Sequence, residues 1–214
     1  MEAPPGRPLA LPVIARLIDL TFAALVLAVV WPVMLVVVLS IRRASPGPAF
    51  YTQRREGLHG RPFRIWKIRT MHLDAAERLQ ARLSRETAAR EEWEATFCLR
   101  DDPRVAGPAA RIARAYSLDE LPQFWNVLVG DMTLVGPRPL EPALAAKLFE
   151  PETRRRRLSV KPGLTGLWQV SRESKREVTT TMGEYDLRYI ASKTIRLDLS
   201  ILLRTPAAVL TGAG

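Results

Sequence analysis

The sequence predicts an α+β fold that is mainly helical, with one membrane-associated helix near the N-terminus and a small β-hairpin. Three observations support this class. Residues 20–41 contain no charged side chain, two short β-prone runs flank Gly57 and Gly60, and several later segments repeat apolar residues at helical spacing. The length of 214 residues is sufficient for one domain with its own hydrophobic core.

The first element is the uncharged run, which has the length of ~20 residues needed to cross a bilayer. A single spanning helix is the simplest interpretation. Two features favour a re-entrant helix instead. Pro32 lies in the middle of the run, where proline removes a hydrogen bond and kinks a helix, and arginines lie on both sides, as they do on cytoplasmic flanks. The sequence leaves both alternatives open.

We therefore expect three divisions of the chain. Residues 1–12 are rich in proline and predict a flexible tail. Residues 13–44 predict a re-entrant membrane helix that breaks at Pro32 and returns to the same face. Residues 45–214 predict a single further domain that begins with the turn at 45–48.

Within that domain, local patterns predict the remaining elements. Runs at 49–52 and 63–68 predict the two strands of the hairpin. Apolar spacing and composition predict helices at 74–93, 139–150, 185–190 and 195–203, and residues 161–166 predict a loop.

The composition limits the classes of partner. The net charge of +10 favours polyanions such as nucleic acid, anionic lipid or phosphorylated small molecules, without choosing between them. The single cysteine, Cys98, excludes an internal disulfide, and with His59 and His72 as the only histidines a His/Cys zinc site is disfavoured. A membrane-tethered domain that binds nucleic acid stays an alternative, although the sequence contains no recognised nucleic-acid motif.

The acid pair Asp119–Glu120 is the most informative local feature. Ser117 and Glu120 have the spacing of a capping box, so the pair could simply cap a helix. Pro122 limits the register, because a helix capped by Ser117 would place the proline beyond the first turn. A helix that starts at Asp119 puts Pro122 at its third position, where no amide partner is needed. In that register Asp119 lies at the positive end of the helix dipole, which attracts phosphate.

The chemistry of the pair suits a phosphate substrate. An ionised aspartate can attack phosphorus, and a neighbouring glutamate can hold Mg²⁺, which neutralises phosphate oxygens during displacement. Arg138 follows nearby, held between Pro137 and Pro139, and arginine is well suited to phosphate recognition. From spacing alone the alternatives stay open: a helix cap for the acid pair and a rigid surface turn for the arginine.

Other charged residues allow a functional and a structural interpretation. Lys67 and Arg69 could face an active site from a strand, or lie along a solvated strand edge. Asp198 interrupts a leucine-rich helix, where it could bind metal or pair with an arginine. The four arginines at 154–157 favour contact with lipid headgroups or solvent over contact with substrate.

Taken in order, these motifs resemble the bacterial sugar transferase family, the monotopic polyprenyl-phosphate phosphoglycosyl transferases. The resemblance covers nearly all of residues 14–212. Its strongest blocks are SLDELPQFWNVLVGDMTLVGPRP at 117–139 and KPGLTGLWQV at 161–170. Further blocks occur at 16–19, 45–48, 50–55, 66–71, 102–104 and 198–199.

The resemblance implies an activity and a location. A member of the family transfers a sugar-1-phosphate from a UDP-sugar to undecaprenyl phosphate and releases UMP, the initiating step of surface polysaccharide or glycoconjugate synthesis. It works at the cytoplasmic face of the bacterial inner membrane, in contact with membrane lipid. Residues 45–214 would form the catalytic domain with interfacial helices, without nucleic acid as a partner. Homo-oligomerisation and the choice between galactose and glucose stay open.

The resemblance also implies roles for individual residues. Asp119 is the nucleophile that forms an aspartyl-phosphosugar intermediate, and Glu120 binds Mg²⁺ as the metal ligand. The residues implied in substrate binding are Lys67, Arg69, Arg104, Pro137, Arg138, Pro139, Gly163, Thr165, Gln169 and Asp198. The family often has a glycine before the arginine that follows its WQVS block; here Arg172 follows Ser171 directly, so the arginine's role is not assigned to it.

Overall fold

A computed structural model describes residues 10–96, 99–171 and 180–210. It bears out the mainly helical α+β class with a small hairpin. The elements in chain order are α1 (Ala10–Ala44), β1 (Phe50–Glu56), β2 (Pro62–Ile68), α2 (Ala75–Arg85), α3 (Thr87–Thr96), α4 (Gly107–Ala115), α5 (Gln123–Val129), β3 (Thr133–Val135), α6 (Pro142–Leu148), α7 (Pro151–Arg157), β4 (Gly163–Thr165), α8 (Thr180–Ser192) and α9 (Ile195–Leu210).

The long N-terminal helix α1 carries the apolar run. Its stretch Val13–Ala44 is long and apolar enough to cross a membrane. Many of its large side chains are exposed, among them Leu25 and Val29, which suits contact with lipid. Pro32 lies inside the helix. The helical assignment continues through Pro32, where the proline removes one hydrogen bond, and the expected break with a return to the same face stays a prediction.

The hairpin is confirmed, and it is longer than predicted. β1 and β2 form a two-stranded sheet, joined through Gly57 and a 3₁₀ turn at Leu58–Gly60. Two residues of that turn, His59 (φ 55°) and Gly60 (φ 76°), adopt left-handed backbone conformations that reverse the chain. The prediction ended β1 early because the polar residues at 53–56 do not have a strand-like composition.

Two further expectations are corrected. The helix predicted at 74–93 is two helices, because Glu86 adopts an extended conformation (φ −123°, ψ 108°). The loop predicted at 161–166 contains β4, which pairs with β3 in parallel, with Thr133 opposite Gly163 and Val135 opposite Thr165. Three-residue strands are too short to show a periodic pattern in the sequence.

The chain folds into two compact units that interleave along the sequence. The first unit comprises the described parts of Met1–Val30, Thr52–Trp66 and Pro122–Gly214, and the second comprises Trp31–Tyr51 and Lys67–Leu121. In the first unit, Leu134, Tyr189 and Ile201 are fully buried in a core around β3. The core of the second unit consists of Val38, Ile41, Ile68, Ala106 and Ala110. The predicted division at 44/45 stays a prediction.

Candidate functional site

The acid pair lies in a 3₁₀ turn at Leu118–Glu120, in the second unit. The predicted helix start at Asp119 is wrong, since α5 begins at Gln123 and Pro122 is its N-cap residue. Ser117 adopts a left-handed conformation (φ 53°), which turns the chain just before the pair. The Glu120 amide donates to Ser117 O at 3.1 Å and closes this short turn.

Glu120 does not act as part of a capping box. Ser117 makes no side-chain cap hydrogen bond, and the Glu120 carboxylate accepts a hydrogen bond from Lys67 Nζ at 2.6 Å. The two side chains are 20 % and 14 % exposed, so this ion pair is mostly withdrawn from water. The structure therefore does not contain the helix cap that the spacing of Ser117 and Glu120 would allow.

Asp119 lies in a desolvated and charged environment. Burial raises the pKa of the Asp119 carboxyl, the Lys67 cation lowers it, the neighbouring Glu120 carboxylate raises it and Arg114 lowers it, with a net rise. A carboxyl whose pKa is shifted by burial and by identifiable charges is typical of a functional site. Lys67, near the end of β2, thus contacts Glu120 and lowers the pKa of Asp119.

The donor set of the pair is compatible with magnesium. Mg²⁺ is commonly held by one or two carboxylates together with phosphate oxygens of the substrate and water. Asp119 and Glu120 supply such carboxylates. Within 10–96, 99–171 and 180–210, no cluster of three or more His, Cys, Asp or Glu side chains could hold a metal ion by itself, so substrate oxygens would have to complete the coordination.

The second candidate feature is the turn Pro137–Leu140, which we call the PRPL turn and which follows β3 in the first unit. Its two prolines have no amide hydrogen, so other groups must hold the turn through its carbonyl oxygens. Three carbonyls are held in this way: Pro137 O by Gly163 N at 3.0 Å, Leu140 O by Glu56 N at 3.0 Å and Arg138 O by Arg157 Nη2 at 2.8 Å.

Glycines allow the backbone on either side of this turn to pack without side chains. A Cβ atom on Gly163 would lie 2.0 Å from Gly136 N, and a Cβ atom on Gly166 would lie 2.4 Å from Gly136 O. Neither contact is sterically possible. Gly163, predicted to bind substrate, is therefore required for the close crossing of β4 with the segment that leads into the PRPL turn.

Two other predicted substrate-binding arginines are engaged inside the second unit. Arg69 is buried, and its guanidinium donates to Pro48 O at 2.7 Å and to Ser45 O at 2.6 Å. Arg104 donates to both oxygens of Asp102, and its central carbon lies 4.9 Å from the centre of the Trp93 ring. These donors of Arg69 hold the turn at 45–48, and its role in substrate binding stays a prediction.

The remaining predicted residues belong to the first unit and face inward or toward its own side chains. Thr165 Oγ1 lies 2.9 Å from Thr205 Oγ1. The side-chain amide of Gln169 is buried without a hydrogen-bond partner among the described residues. Asp198 Oδ1 accepts a hydrogen bond from Tyr189 Oη at 2.8 Å, so the expected structural pairing is with a tyrosine and not an arginine. Their roles in binding stay predictions, and Arg172 lies outside the described residues.

The sequence analysis missed two arginines of α7 that support the PRPL turn. Arg157 forms a buried ion pair with Asp186, with 2.7 Å between Nε and Oδ2. Arg154 forms an ion pair with Glu56. The expectation that the run at 154–157 faces lipid or solvent is wrong for these two. Their i, i+3 spacing places them on one face of the helix, so the sequence alone could have indicated that they point in the same direction.

The chain is similar in sequence to several known proteins. The family model described as bacterial sugar transferase matches residues 11–212. The chain is 37% identical over 199 residues to the undecaprenyl-phosphate galactose phosphotransferase of Salmonella typhimurium, covering 93% of this chain and 41% of that protein. It is 40% identical over 220 residues to the UDP-glucose:undecaprenyl-phosphate glucose-1-phosphate transferase of Caulobacter vibrioides, covering 97% and 74%.

A third relative is the exopolysaccharide production protein ExoY of Sinorhizobium fredii, 36% identical over 205 residues, with 93% of this chain and 86% of that protein covered. The coverage differs between relatives. The chain spans about two fifths of the length of several curated relatives that it matches, the Salmonella protein among them.

Proposed function

Because the chain belongs to the bacterial sugar transferase family, we propose that it transfers a sugar-1-phosphate from a UDP-sugar to undecaprenyl phosphate and releases UMP. This reaction would initiate the synthesis of a surface polysaccharide or glycoconjugate. The observation that carries the proposal is the environment of the acid pair: Asp119 is half-buried, and Lys67 Nζ lies 2.6 Å from a carboxylate oxygen of Glu120. The names of the relatives, which specify undecaprenyl phosphate with galactose or UDP-glucose, support the substrate classes.

The proposed reaction proceeds in two displacements at the β-phosphorus of the donor. In the first, a carboxylate oxygen of Asp119 attacks that phosphorus, and the bond to the oxygen shared with UMP breaks, so UMP leaves with the electron pair. In the second, a phosphate oxygen of the lipid attacks the same phosphorus, and the Asp119 carboxylate leaves. A covalent aspartyl intermediate allows a soluble donor and a membrane-bound acceptor to react in turn.

Glu120 and Lys67 support the nucleophile in this proposal. Glu120 is the proposed magnesium ligand, and bound magnesium would neutralise phosphate oxygens during the displacement. The Lys67 cation lowers the pKa of Asp119, which favours the ionised carboxylate that the attack needs. Arg138 is proposed to bind phosphate oxygens of the nucleotide donor, since a guanidinium offers a planar pair of donors to them.

We propose that α1 is re-entrant and that the protein lies on the cytoplasmic face of the inner membrane. Arginines on both sides of the apolar run and the proline within the helix support this course. The variant Arg7→Cys, in a Cys98→Ser background, tests this course of the helix with an impermeant thiol reagent. We expect labelling only when the cytoplasmic face is accessible, whereas labelling from the opposite side alone would show a spanning helix.

The activity itself is tested by UMP release. Purified full-length chain in a membrane mimic is supplied with Mg²⁺, undecaprenyl phosphate and, in turn, UDP-glucose, UDP-galactose and their N-acetyl forms. We expect UMP with at least one donor and none from the Asp119→Asn variant. Absence of UMP with every donor, from a folded preparation, would overturn the proposal; salt-sensitive DNA binding without turnover would favour the nucleic-acid alternative.

A further inference from the structure

We infer that Arg157 and Asp186 are positioning residues for the donor: their buried ion pair fixes the Arg138 carbonyl and thereby the direction in which the Arg138 side chain leaves the PRPL turn. This inference rests on the proposed function, in which Arg138 binds the nucleotide donor. It assigns to α7 and α8 a part in donor binding that the sequence motifs do not suggest.

The guanidinium of Arg157 is fixed by three neighbours. Its Nε donates to Asp186 Oδ2 at 2.7 Å, its Nη2 donates to Arg138 O at 2.8 Å, and its central carbon lies 4.3 Å from the centre of the Phe149 ring. The side chains of Arg157 and Asp186 are 5 % and 2 % exposed. Because the guanidinium is planar and its donors point in fixed directions, anchoring Nε on Asp186 also sets the position of Nη2.

The hydrogen bond to Arg138 O completes the restraint on the turn. Pro137 and Pro139 each have a fixed φ, and a following proline confines Arg138 to extended conformations. The peptide plane between Arg138 and Pro139 can still tilt within that region. The bond from Arg157 Nη2 limits this tilt, and therefore the point from which the Arg138 side chain extends.

A second contact from α7 acts on the same turn. Arg154, one helical turn before Arg157, forms an ion pair with Glu56, and the Glu56 amide donates to Leu140 O at 3.0 Å. The two inward-facing arginines of α7 thus support the turn at Arg138 and at Leu140. Arg155 differs, because its side chain is 78 % exposed and pairs with Glu152 of the same helix.

Two-step kinetics make the role of Arg157 measurable. When a covalent intermediate separates two half-reactions, kcat/KM for the donor reports only the first half-reaction, and kcat/KM for the lipid acceptor reports only the second. A residue that acts by placing Arg138 should affect the first value alone. A residue that only stabilises the fold should lower both by the same factor, through the fraction of active enzyme.

The experiment compares Arg157→Lys with the matched exposed control Arg155→Lys, using UDP-sugar and undecaprenyl phosphate. Lysine keeps the charge opposite Asp186 but cannot also hold Arg138 O in the same geometry. We expect kcat/KM for the donor to fall about tenfold or more, in line with the effect of misplacing a binding group, while kcat/KM for the acceptor is unchanged. The control should alter neither value.

A double-mutant cycle with Arg138→Ala completes the test. If Arg157 acts through Arg138, Arg157→Lys should have little further effect on donor kcat/KM in the Arg138→Ala background. Asp186→Asn provides a second variant, expected to lower the same value in the wild-type background. The ratio of the two kcat/KM values is independent of the folded fraction, so partial misfolding does not obscure the result.

The outcomes separate the inference from the proposed function. Wild-type enzyme without UMP release would reject both. Active wild type with equal losses in the two kcat/KM values, with no loss in Arg157→Lys, or with additive effects of Arg157→Lys and Arg138→Ala would reject the positioning role alone. A loss of donor kcat/KM that disappears in the Arg138→Ala background would support it.

Discussion

Two ion pairs of similar length differ in what surrounds them. Lys67 and Glu120 approach to 2.6 Å in the second unit, and Arg157 and Asp186 approach to 2.7 Å in the first. The first pair is 14 % and 20 % exposed and adjoins Asp119 in sequence, whereas the second is almost completely buried and contacts a backbone carbonyl. One pair is placed to influence a reactive group, and the other to hold a turn.

The difference shows how burial determines the use of an ion pair. In a buried ion pair each charge is the main compensation for the other, so removal of either leaves a buried charge without its counter-charge. The Lys67–Glu120 pair is mostly buried but still partly accessible, so water can replace part of a contact that is removed. We therefore expect changes at Lys67–Glu120 to alter activity and changes at Arg157–Asp186 to alter stability as well as donor binding.

The largest expected effect is on catalysis at Asp119. Asp119→Asn keeps the shape of the side chain but removes the nucleophilic carboxylate, so UMP release should fall by about ten-thousand-fold or more. The melting temperature should change little, since the side chain is only half-buried. Steady-state UMP release and thermal unfolding measure the two quantities, and full activity in this variant would refute the covalent mechanism.

The next effect compares the two ion pairs directly by stability. Asp186→Ala leaves the buried Arg157 guanidinium without its counter-charge, and should lower the free energy of unfolding by about 3–5 kcal/mol. Lys67→Ala removes a hydrogen bond to a partly solvated carboxylate and should cost about 1–2 kcal/mol. Chemical denaturation of both variants provides the test; equal losses would mean that the distinction between the pairs is wrong.

A smaller effect concerns magnesium. Glu120→Gln removes a charge from the proposed ligand while keeping its oxygen, so the Mg²⁺ concentration for half-maximal activity should rise about 10–100-fold, as for weakened metal sites elsewhere. A chelator should abolish activity, and added Mg²⁺ should restore it. Glu141→Gln, at an exposed position, is the control; an unchanged Mg²⁺ requirement in Glu120→Gln would exclude Glu120 as the ligand.

The smallest expected effect is a shift in the pH dependence of activity when Lys67 is replaced. The Lys67 cation lowers the pKa of Asp119, against the larger rise that burial causes. Without the cation, the pKa of Asp119 should be higher, so the carboxylate becomes protonated at a higher pH as acid is added. In Lys67→Met the acid limb of kcat/KM for the donor should therefore move to higher pH. Arg111→Met, at an exposed position, should leave that limb in place.

The sequence predicted the features that depend on local pattern. The apolar helix, the hairpin and the mainly helical class follow from composition and spacing, and the ordered motifs pointed to Asp119 and Glu120. The helix register at the acid pair was wrong, because Ser117 adopts a left-handed conformation that non-glycine residues seldom adopt and that no sequence pattern announced.

The contacts that depend on tertiary structure could not be predicted in the same way. The ion pair of Arg157 with Asp186 joins residues 29 positions apart, and neither residue type identifies its partner. β3 and β4 have three residues each and show no periodicity. Arg69 was expected to face an active site from the same strand as Lys67, and the sequence did not show that its donors also hold the turn at 45–48.

The central claim is that Asp119 becomes covalently linked to the phosphosugar. The most direct measurement supplies the full-length enzyme with UDP-sugar labelled at the β-phosphate, without lipid acceptor, followed by acid quenching and mass spectrometry of peptides. We predict that the label appears on Asp119 together with released UMP, is absent in Asp119→Asn, and is lost on addition of undecaprenyl phosphate. An enzyme that transfers phosphosugar to the lipid yet never carries label on Asp119 would contradict the account.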